Sequence, residues 1–531
     1  MDLEAALTEW AALLGQSSVL PSVEAAAAYG SDTGAASRTL LAALRIRDAA
    51  VLPEVMRIAS RNRVCVYPIS TGNNWGYGSA LPVRDGCVIL DLSALQKILD
   101  FDAEFGVVTL EPGVTQKMLA DFLDARAEPY MVPVTGAGPH CSLVGNALER
   151  GYGITPHADH FGAVTDLQAV LPDGSVYRSA LHEVGGAELA RLFKWGIGPY
   201  CNGLFTQSGF GIVTRMSIVL ARRPECVKAC VFAIDDDALL ERAVAAVRNL
   251  LVKLPGTLGA VNLMNQHRVL SMAAPFPYSD LGANALIPTS RIAQMAKQYR
   301  VAAWTGFASL YGTREVVAAA QKEIRRSLSG IGQRILFLAP QHAATLSGLA
   351  QWIPGDLGRR MQERTQMLSR SLELVEGRPN ETALALAYWR NRATPPDGPK
   401  NPAHDGCGLL WYAPLVPMRP SSVRAYVDMV CQVTQRHAME PLITLTSVND
   451  RLFDSTIPLL FDKHQPQAAN VARDCYAELL HTGRSHGWFP YRVGIESMAL
   501  LNDLQSNSKA FTHRLRSSLD PHALLSPGRY A

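Results

Sequence analysis

The sequence predicts an α+β protein built as two lobes, on three observations. At 531 residues the chain exceeds what one ordinary hydrophobic core organises. Its composition, 48% hydrophobic and 18% charged, suits large packed cores and excludes a disordered chain. Its texture also changes near Arg222-Arg223-Pro224. Short β-type runs and glycine-rich loops come before that point; long helical periodicities alternating with short apolar runs come after it.

Taken in order, an Ala/Leu-rich stretch predicts an amphipathic helix through Leu14, and apolar residues at helical spacing predict a second over Leu52 to Asn62. Val64-Cys65-Val66-Tyr67-Pro68 is a short buried β-type run that enters a glycine-rich loop directly. Strand-like pieces follow at Cys87 to Leu92 and Gly106 to Gly113, with a helical pattern from Val114 to Ala125. Leu167 to Leu171 runs into the turn Pro172-Asp173-Gly174, and Val176-Tyr177-Arg178 returns as its hairpin partner. Gly211 to Leu220 alternates as a long strand. Beyond the boundary, helices are expected over Ala238 to Leu251, Thr313 to Ser329 and Ser421 to His437, and Pro395 to Pro402 reads as a loop.

Charge and cysteine usage narrow the functional classes. A formal charge of +3 with no Lys/Arg run argues against a nucleic-acid footprint. The nine cysteines form no CxxC pair, so no zinc or thioredoxin-like centre is expected; scattered spacing and an odd number point to a reducing compartment. Cys226 and Cys230 sit four apart, able to meet on a helix or lie apart on a strand, and read as small buried apolar residues. Met1-Asp2-Leu3-Glu4 lacks the basic start and apolar core of a secretory signal, and no apolar stretch spans a bilayer. A soluble cytoplasmic protein is the expectation.

The loop Ser70-Thr71-Gly72-Asn73-Asn74-Trp75-Gly76 carries the first chemistry. After a short strand it can present successive backbone N–H groups to an anion, with glycine allowing close approach and the hydroxyl and amide side chains adding donors. That suits a pyrophosphate. The pattern is neither GxGxxG nor a Walker loop, so standing alone it reads first as an ordinary turn. A second small-residue loop, Pro139 to Ala147, precedes Glu149-Arg150-Gly151-Tyr152-Gly153-Ile154-Thr155-Pro156. Gly198 to Gln207 then precedes the strand from Gly211.

This ordered set resembles the flavoprotein family of vanillyl-alcohol oxidase, eugenol oxidase and the flavin subunit of p-cresol methylhydroxylase. The matching segments are PISTGNNWGYGSALPV from Pro68, VILDL from Val88, EPGVT from Glu111, GNALERGYGITP from Gly145, FKWGIGPYCNGLFTQ from Phe193, GIVT from Gly211 and SPGR from Ser526. The resemblance implies a two-lobed FAD-binding fold. It sets 1–224 as the FAD-binding domain, 225–487 as the cap or substrate domain, and 488–531 as a segment returning to the first.

The resemblance also implies roles. FAD pyrophosphate falls to Ser70, Thr71, Gly72, Asn73 and Asn74; the flavin to Ser142, Gly145, Asn146 and Thr155; the adenine end to backbone at Gly211, Ile212 and Val213. Glu149 and Arg150 read either as flavin-lining or as a local ion pair holding their loop. Relatives acting on para-substituted phenols bind the phenol oxygen with two tyrosines and an arginine, matched here by Tyr77, Tyr491 and Arg492. Such a trio would stabilise a phenolate, from which a benzylic hydride passes to flavin N5 through a quinone-methide intermediate. Electrons would continue to O2 or to a protein acceptor such as a cytochrome c. A homodimer is expected, with neither nucleic acid nor membrane as partner.

The chain departs from the family at several places. The tyrosine that carries covalent flavin is matched by Lys400, and nearby His404 reads as a solvated loop residue, so non-covalent FAD is expected. The aspartate beside flavin N5 is missing from Val132 to Pro139, leaving His140 as a stand-in base or a simple loop donor. A substrate-side glutamate is missing from Leu442 to Ser447. Asp159 and His160 match a family pair and read as supporting residues. Two alternatives remain: an FAD-dependent 2-hydroxy acid or alcohol dehydrogenase of the same fold, and a flavin-binding subunit without catalysis.

Overall fold

The computed structural model describes residues 1–282, 284–339, 369–393, 395, 397–502 and 506–530. The first sheet carries the glycine loop. Its strands run in the order Val19–Pro21, Leu40–Arg45, Cys87–Asp91, Cys65–Ile69, and the last three are parallel. Helices Leu3–Leu14 and Leu52–Asn62 cover it, burying Trp10, Val55 and Met56 against Val66, Val88 and Leu90. The Trp10 indole N–H donates to the Val55 carbonyl at 3.1 Å. The helix Leu52–Asn62 ends on Arg63 in the left-handed region, φ 53°, which turns the chain into Cys65–Ile69. The loop therefore leaves the carboxyl end of a parallel strand, where open sheets gather their ligands.

A five-stranded antiparallel sheet follows, in the order Ile98–Asp102, Val107–Leu110, Ile212–Val219, Val164–Val170, Val176–Arg178. The hairpin read around Pro172-Asp173-Gly174 is its last pair. Among the elements the sequence reading does not give, Ser22–Tyr29 is helical, so Leu52–Asn62 is the third α-helix of the chain. This Ala-rich segment buries only Ala25, leaving little apolar periodicity to detect. Cys226 and Cys230 lie on a strand, and all nine cysteines are free.

A nine-stranded sheet dominates the rest, drawn from strands between Cys226 and Pro490. Helices Leu240–Lys253, Arg314–Ser327, Pro420–Arg436 and Ala468–Ser485 pack on one face. The alternation of strand side chains decides which residues face them. Leu445, Phe453 and Ile457 join the helices, while Thr446 and Thr456 turn to the opposite side and line a cavity. The chain end returns to the first sheet, where Leu525 bridges to Val66. Of the loop expected over Pro395 to Pro402, Pro396 lies outside the described residues; the others form no helix or strand. No described helix is long and apolar enough to cross a membrane.

Candidate active site

The glycine loop and the second loop meet. Helix Leu143–Leu148 is capped by Ser142, whose hydroxyl accepts from the Gly145 amide at 2.9 Å and donates to the Pro112 carbonyl at 2.6 Å. Ser142 N–H also reaches Thr71 Oγ1 at 3.3 Å, tying one loop to the other. A Cβ on Gly145 would stand 2.4 Å from Ser70 Oγ, so the two loops approach closely only because Gly145 has no side chain. Asn73 Nδ2 donates to the His140 carbonyl at 3.0 Å.

Around these loops lies a cavity of about 490 Å³. It is lined by Ser70, Thr71, Gly72, Asn73, Asn74, Ser142, Gly145, Asn146, Gly211, Ile212 and Val213, together with Tyr77, Tyr491 and Arg492. His140 and Thr155 are not brought to it. The His140 side chain is exposed, because its turn is tied back by Lys117 N–H on the Pro139 carbonyl and Gln116 N–H on the Cys141 carbonyl. Thr155 is buried elsewhere with its hydroxyl unpartnered.

Tyr77 is set by contacts distant in sequence. Its carbonyl accepts from Ile495 N–H at 3.1 Å, and Trp411 N–H donates to the Gly76 carbonyl at 3.3 Å. Gly76 has φ 79°, and a Cβ there would lie 2.1 Å from the Trp411 ring, so only glycine lets the loop pass. Tyr491 is held by Gln207 Nε2 on its carbonyl at 3.0 Å and by its own N–H on Ala413 O at 3.3 Å. Its ring meets Tyr152 edge-on, with centroids 5.4 Å apart. The Arg492 guanidinium stands 4.2 Å from the Tyr77 ring centroid and donates to Asn74 Oδ1.

Glu149 does not pair with Arg150, as a local reading of their adjacency suggests. Its carboxylate lies 3.3 Å from Arg492 Nε and pairs with Arg529, while Arg150 reaches Thr206 Oγ1 at 2.9 and 3.1 Å. Arg150 has φ 54°, a turn that sends the two side chains apart. Burial pushes both the Tyr77 and Tyr491 hydroxyls well above the ordinary phenol range; for both the Asp454 carboxyl adds to this and Arg492 opposes it. Both therefore stay protonated and able to donate. Asn146 Nδ2 and His160 Nδ1 lie 2.5 Å apart, and burial, with His157 beside it, drives His160 down to about 4, a neutral ring supporting a cavity residue.

Several residues had no local signal. Arg268, Trp411, Thr446 and Thr456 line the cavity from the large sheet and its connections. Asp454 is buried with Oδ1 unpartnered, and burial, against the pull of Arg492, pushes its carboxyl up to about 8. A raised carboxyl contributes stability that is complete below its ordinary 3.8 and is lost as pH rises through about 8. Melting temperatures measured from pH 5 to 9 are expected to fall up to about 8, and Asp454→Asn is expected to flatten that fall. One such proton bounds the slope at about 1.4 kcal/mol per pH unit.

These loops fit FAD by their own geometry. They offer backbone amides and small side chains in close approach, in a cavity whose lining holds three guanidinium groups against one carboxylate. Fold and cavity together define an FAD-dependent oxidoreductase. Residues 41–180 match the family model for an FAD binding domain. The chain is 34% identical over 530 residues to 1'-carboxy-chondrochloren decarboxylase of Chondromyces crocatus, covering 99% of this chain and 97% of that one. It is 28% identical to the 4-cresol dehydrogenase [hydroxylating] flavoprotein subunit of Pseudomonas putida, covering 90% and 84%. The crystal structure of p-cresol methylhydroxylase with substrate bound superposes with a TM-score of 0.87 at 26% identity, covering 99% and 96%. The protein belongs to the vanillyl-alcohol oxidase and p-cresol methylhydroxylase family.

Proposed function

We propose that the protein oxidises a para-substituted phenol at its benzylic carbon through a quinone methide. The observation that carries this reading is the convergence of Tyr77, Tyr491 and Arg492 on the cavity that holds the FAD loops. Bound FAD supplies acceptance of a hydride from carbon. Tyr77 and Tyr491 donate to the phenolic oxygen, and Arg492 neutralises the charge it gains on losing its proton. The apolar wall of Leu384, Leu386, Leu409 and Trp411 excludes water from the para substituent. A 2-hydroxy acid reading would leave the two tyrosines without a task. The test is anaerobic mixing with 4-propylphenol, which should bleach the flavin; an unbleached spectrum would sink this reading.

A second reading extends the first to loss of CO2, as the name of the Chondromyces crocatus relative suggests. Hydration of a quinone methide calls for a group that takes a proton from water. Among the described lining residues the only carboxylate, Glu149, is held by Arg492 and Arg529, and there is no histidine. Breaking a carbon–carboxylate bond needs no base: its electron pair returns to the ring, CO2 departs and an alkenyl phenol remains. From 3-(4-hydroxyphenyl)propanoate, the expected products are 4-vinylphenol and one CO2 per flavin reduced. The benzylic alcohol in their place would refute it.

FAD is proposed to be bound without a covalent link. Lys400 is paired with Glu381 at 3.2 Å and is absent from the lining, and His404 is exposed. Cys141 lines the cavity, but burial pushes its thiol up to about 11, which suppresses the nucleophilic thiolate. Acid precipitation should leave the flavin in the supernatant; yellow protein in the pellet would show a covalent bond. The reading is completed by a cytoplasmic homodimer passing electrons to O2 or to a protein such as a cytochrome c.

A further inference from the structure

Arg268 sits in the first turn of helix Gln266–Ala273, directly after strand Leu258–Asn265 of the large sheet, and lines the cavity. The other two cavity guanidiniums, Arg492 and Arg529, share Glu149. Arg268 has no ion pair among the described residues. Its one side-chain hydrogen bond there is a long contact from Nη1 to Ser271 Oγ at 3.4 Å. Glu440, beside the neighbouring His267, is already engaged: it lies 3.6 Å from His267 Nε2 and accepts from Ile287 N–H at 2.8 Å. Burial pushes the Arg268 guanidinium down to about 10, with no charged neighbour opposing the shift.

A cation removed from bulk water on a cavity wall without a counter-ion is costly unless a ligand supplies the opposite charge. A guanidinium matches a carboxylate in shape as well as charge, through two parallel N–H donors. The phosphate-suited loops at Ser70 to Asn74 and Ser142 to Gly145 belong to the N-terminal part of the chain, whereas Arg268 belongs to the large-sheet wall with Thr446 and Thr456. We infer that Arg268 is the specificity residue for a carboxylate on the para substituent, so that the substrate is a phenol at one end and an acid at the other. This rests on the phenol reading for the orientation of the ligand.

The test separates the two by using ligands with no benzylic hydrogen. Holoprotein is titrated with 4-hydroxyphenoxyacetate and with 4-ethoxyphenol, its neutral counterpart, and binding is read from the flavin spectrum. The acid is expected to bind about 10- to 100-fold tighter than the ether. Arg268→Gln should bring that ratio close to one while leaving the ether's Kd unchanged, and Arg268→Lys should restore part of it. Equal affinities in the wild type, or a preference that survives in Arg268→Gln, would overturn the inference. So would a variant that retains the acid preference but binds FAD more weakly, since the residue would then serve the cofactor's phosphates. If 4-propylphenol fails to bleach the flavin while the acid preference holds, the phenol-oxidation reading fails and the carboxylate site stands.

Discussion

Arg492→Ala is expected to lower anaerobic flavin reduction by a 4-alkylphenol about 10²- to 10³-fold per bound flavin, the range for removing one preorganised donor to a developing oxyanion. Arg492 is the cation placed against Tyr77, and without it two neutral hydroxyls must hold a full negative charge. Tyr77 and Tyr491 would still hydrogen-bond the phenol, so KM should change less than the rate. The fold should survive, because Glu149 keeps Arg529. Since Arg492 also donates to Asn74 in the glycine loop, FAD occupancy must be measured and rates normalised to it. Arg492→Lys should recover only part of the loss, as an ammonium cannot serve Asn74, Glu149 and a phenolate in one plane. Stopped-flow absorbance gives the rate directly, and a wild-type rate in Arg492→Ala would remove Arg492 from the phenol site.

The second large effect is expected from Gly145→Val, which should yield protein nearly free of FAD. Its Cβ would meet Ser70 Oγ at 2.4 Å and Ser142 Oγ at 3.3 Å, before the two γ-methyl groups are considered. Ser142 cannot retreat without losing its bonds to Gly145 N–H and Pro112 O, so Ser70 and the pyrophosphate loop must move. Overpacking of this kind costs about 1–3 kcal/mol in the fold. The same displacement disorganises the amides that would face the cofactor. Flavin-to-protein absorbance ratios and a thermal melt separate the two consequences. Loss of FAD with a near-native melt locates the damage in the cradle, whereas full FAD content would show that the two loops do not form it.

Much of the scaffold was legible because it is local. Helix Leu52–Asn62 has the bounds its periodicity predicts, and the hairpin at Pro172-Asp173-Gly174 is announced by its turn residues. Helix Ser22–Tyr29 carries no such periodicity, because it buries only Ala25. The site divides in the same way. Ser70 to Asn74, Tyr77, Tyr491 and Arg492 stand in dense motifs and do line one cavity. His140 belonged to an equally suggestive stretch, yet backbone bonds from Gln116 and Lys117 turn its segment so that the ring faces solvent.

The sequence by itself determined the class of protein, its glycine loops and the tyrosine and arginine residues that reach the cavity, since these depend on contiguous segments with their own turn chemistry. Only the tertiary structure decided which charges are neutralised and which are free. Glu149 ignores its neighbour Arg150 for Arg492 and Arg529; Asp454 is buried with one oxygen unpartnered; Arg268 has no counter-ion among the described residues. The physical reason is that ion pairing and burial depend on distances between segments hundreds of residues apart, which no local pattern encodes.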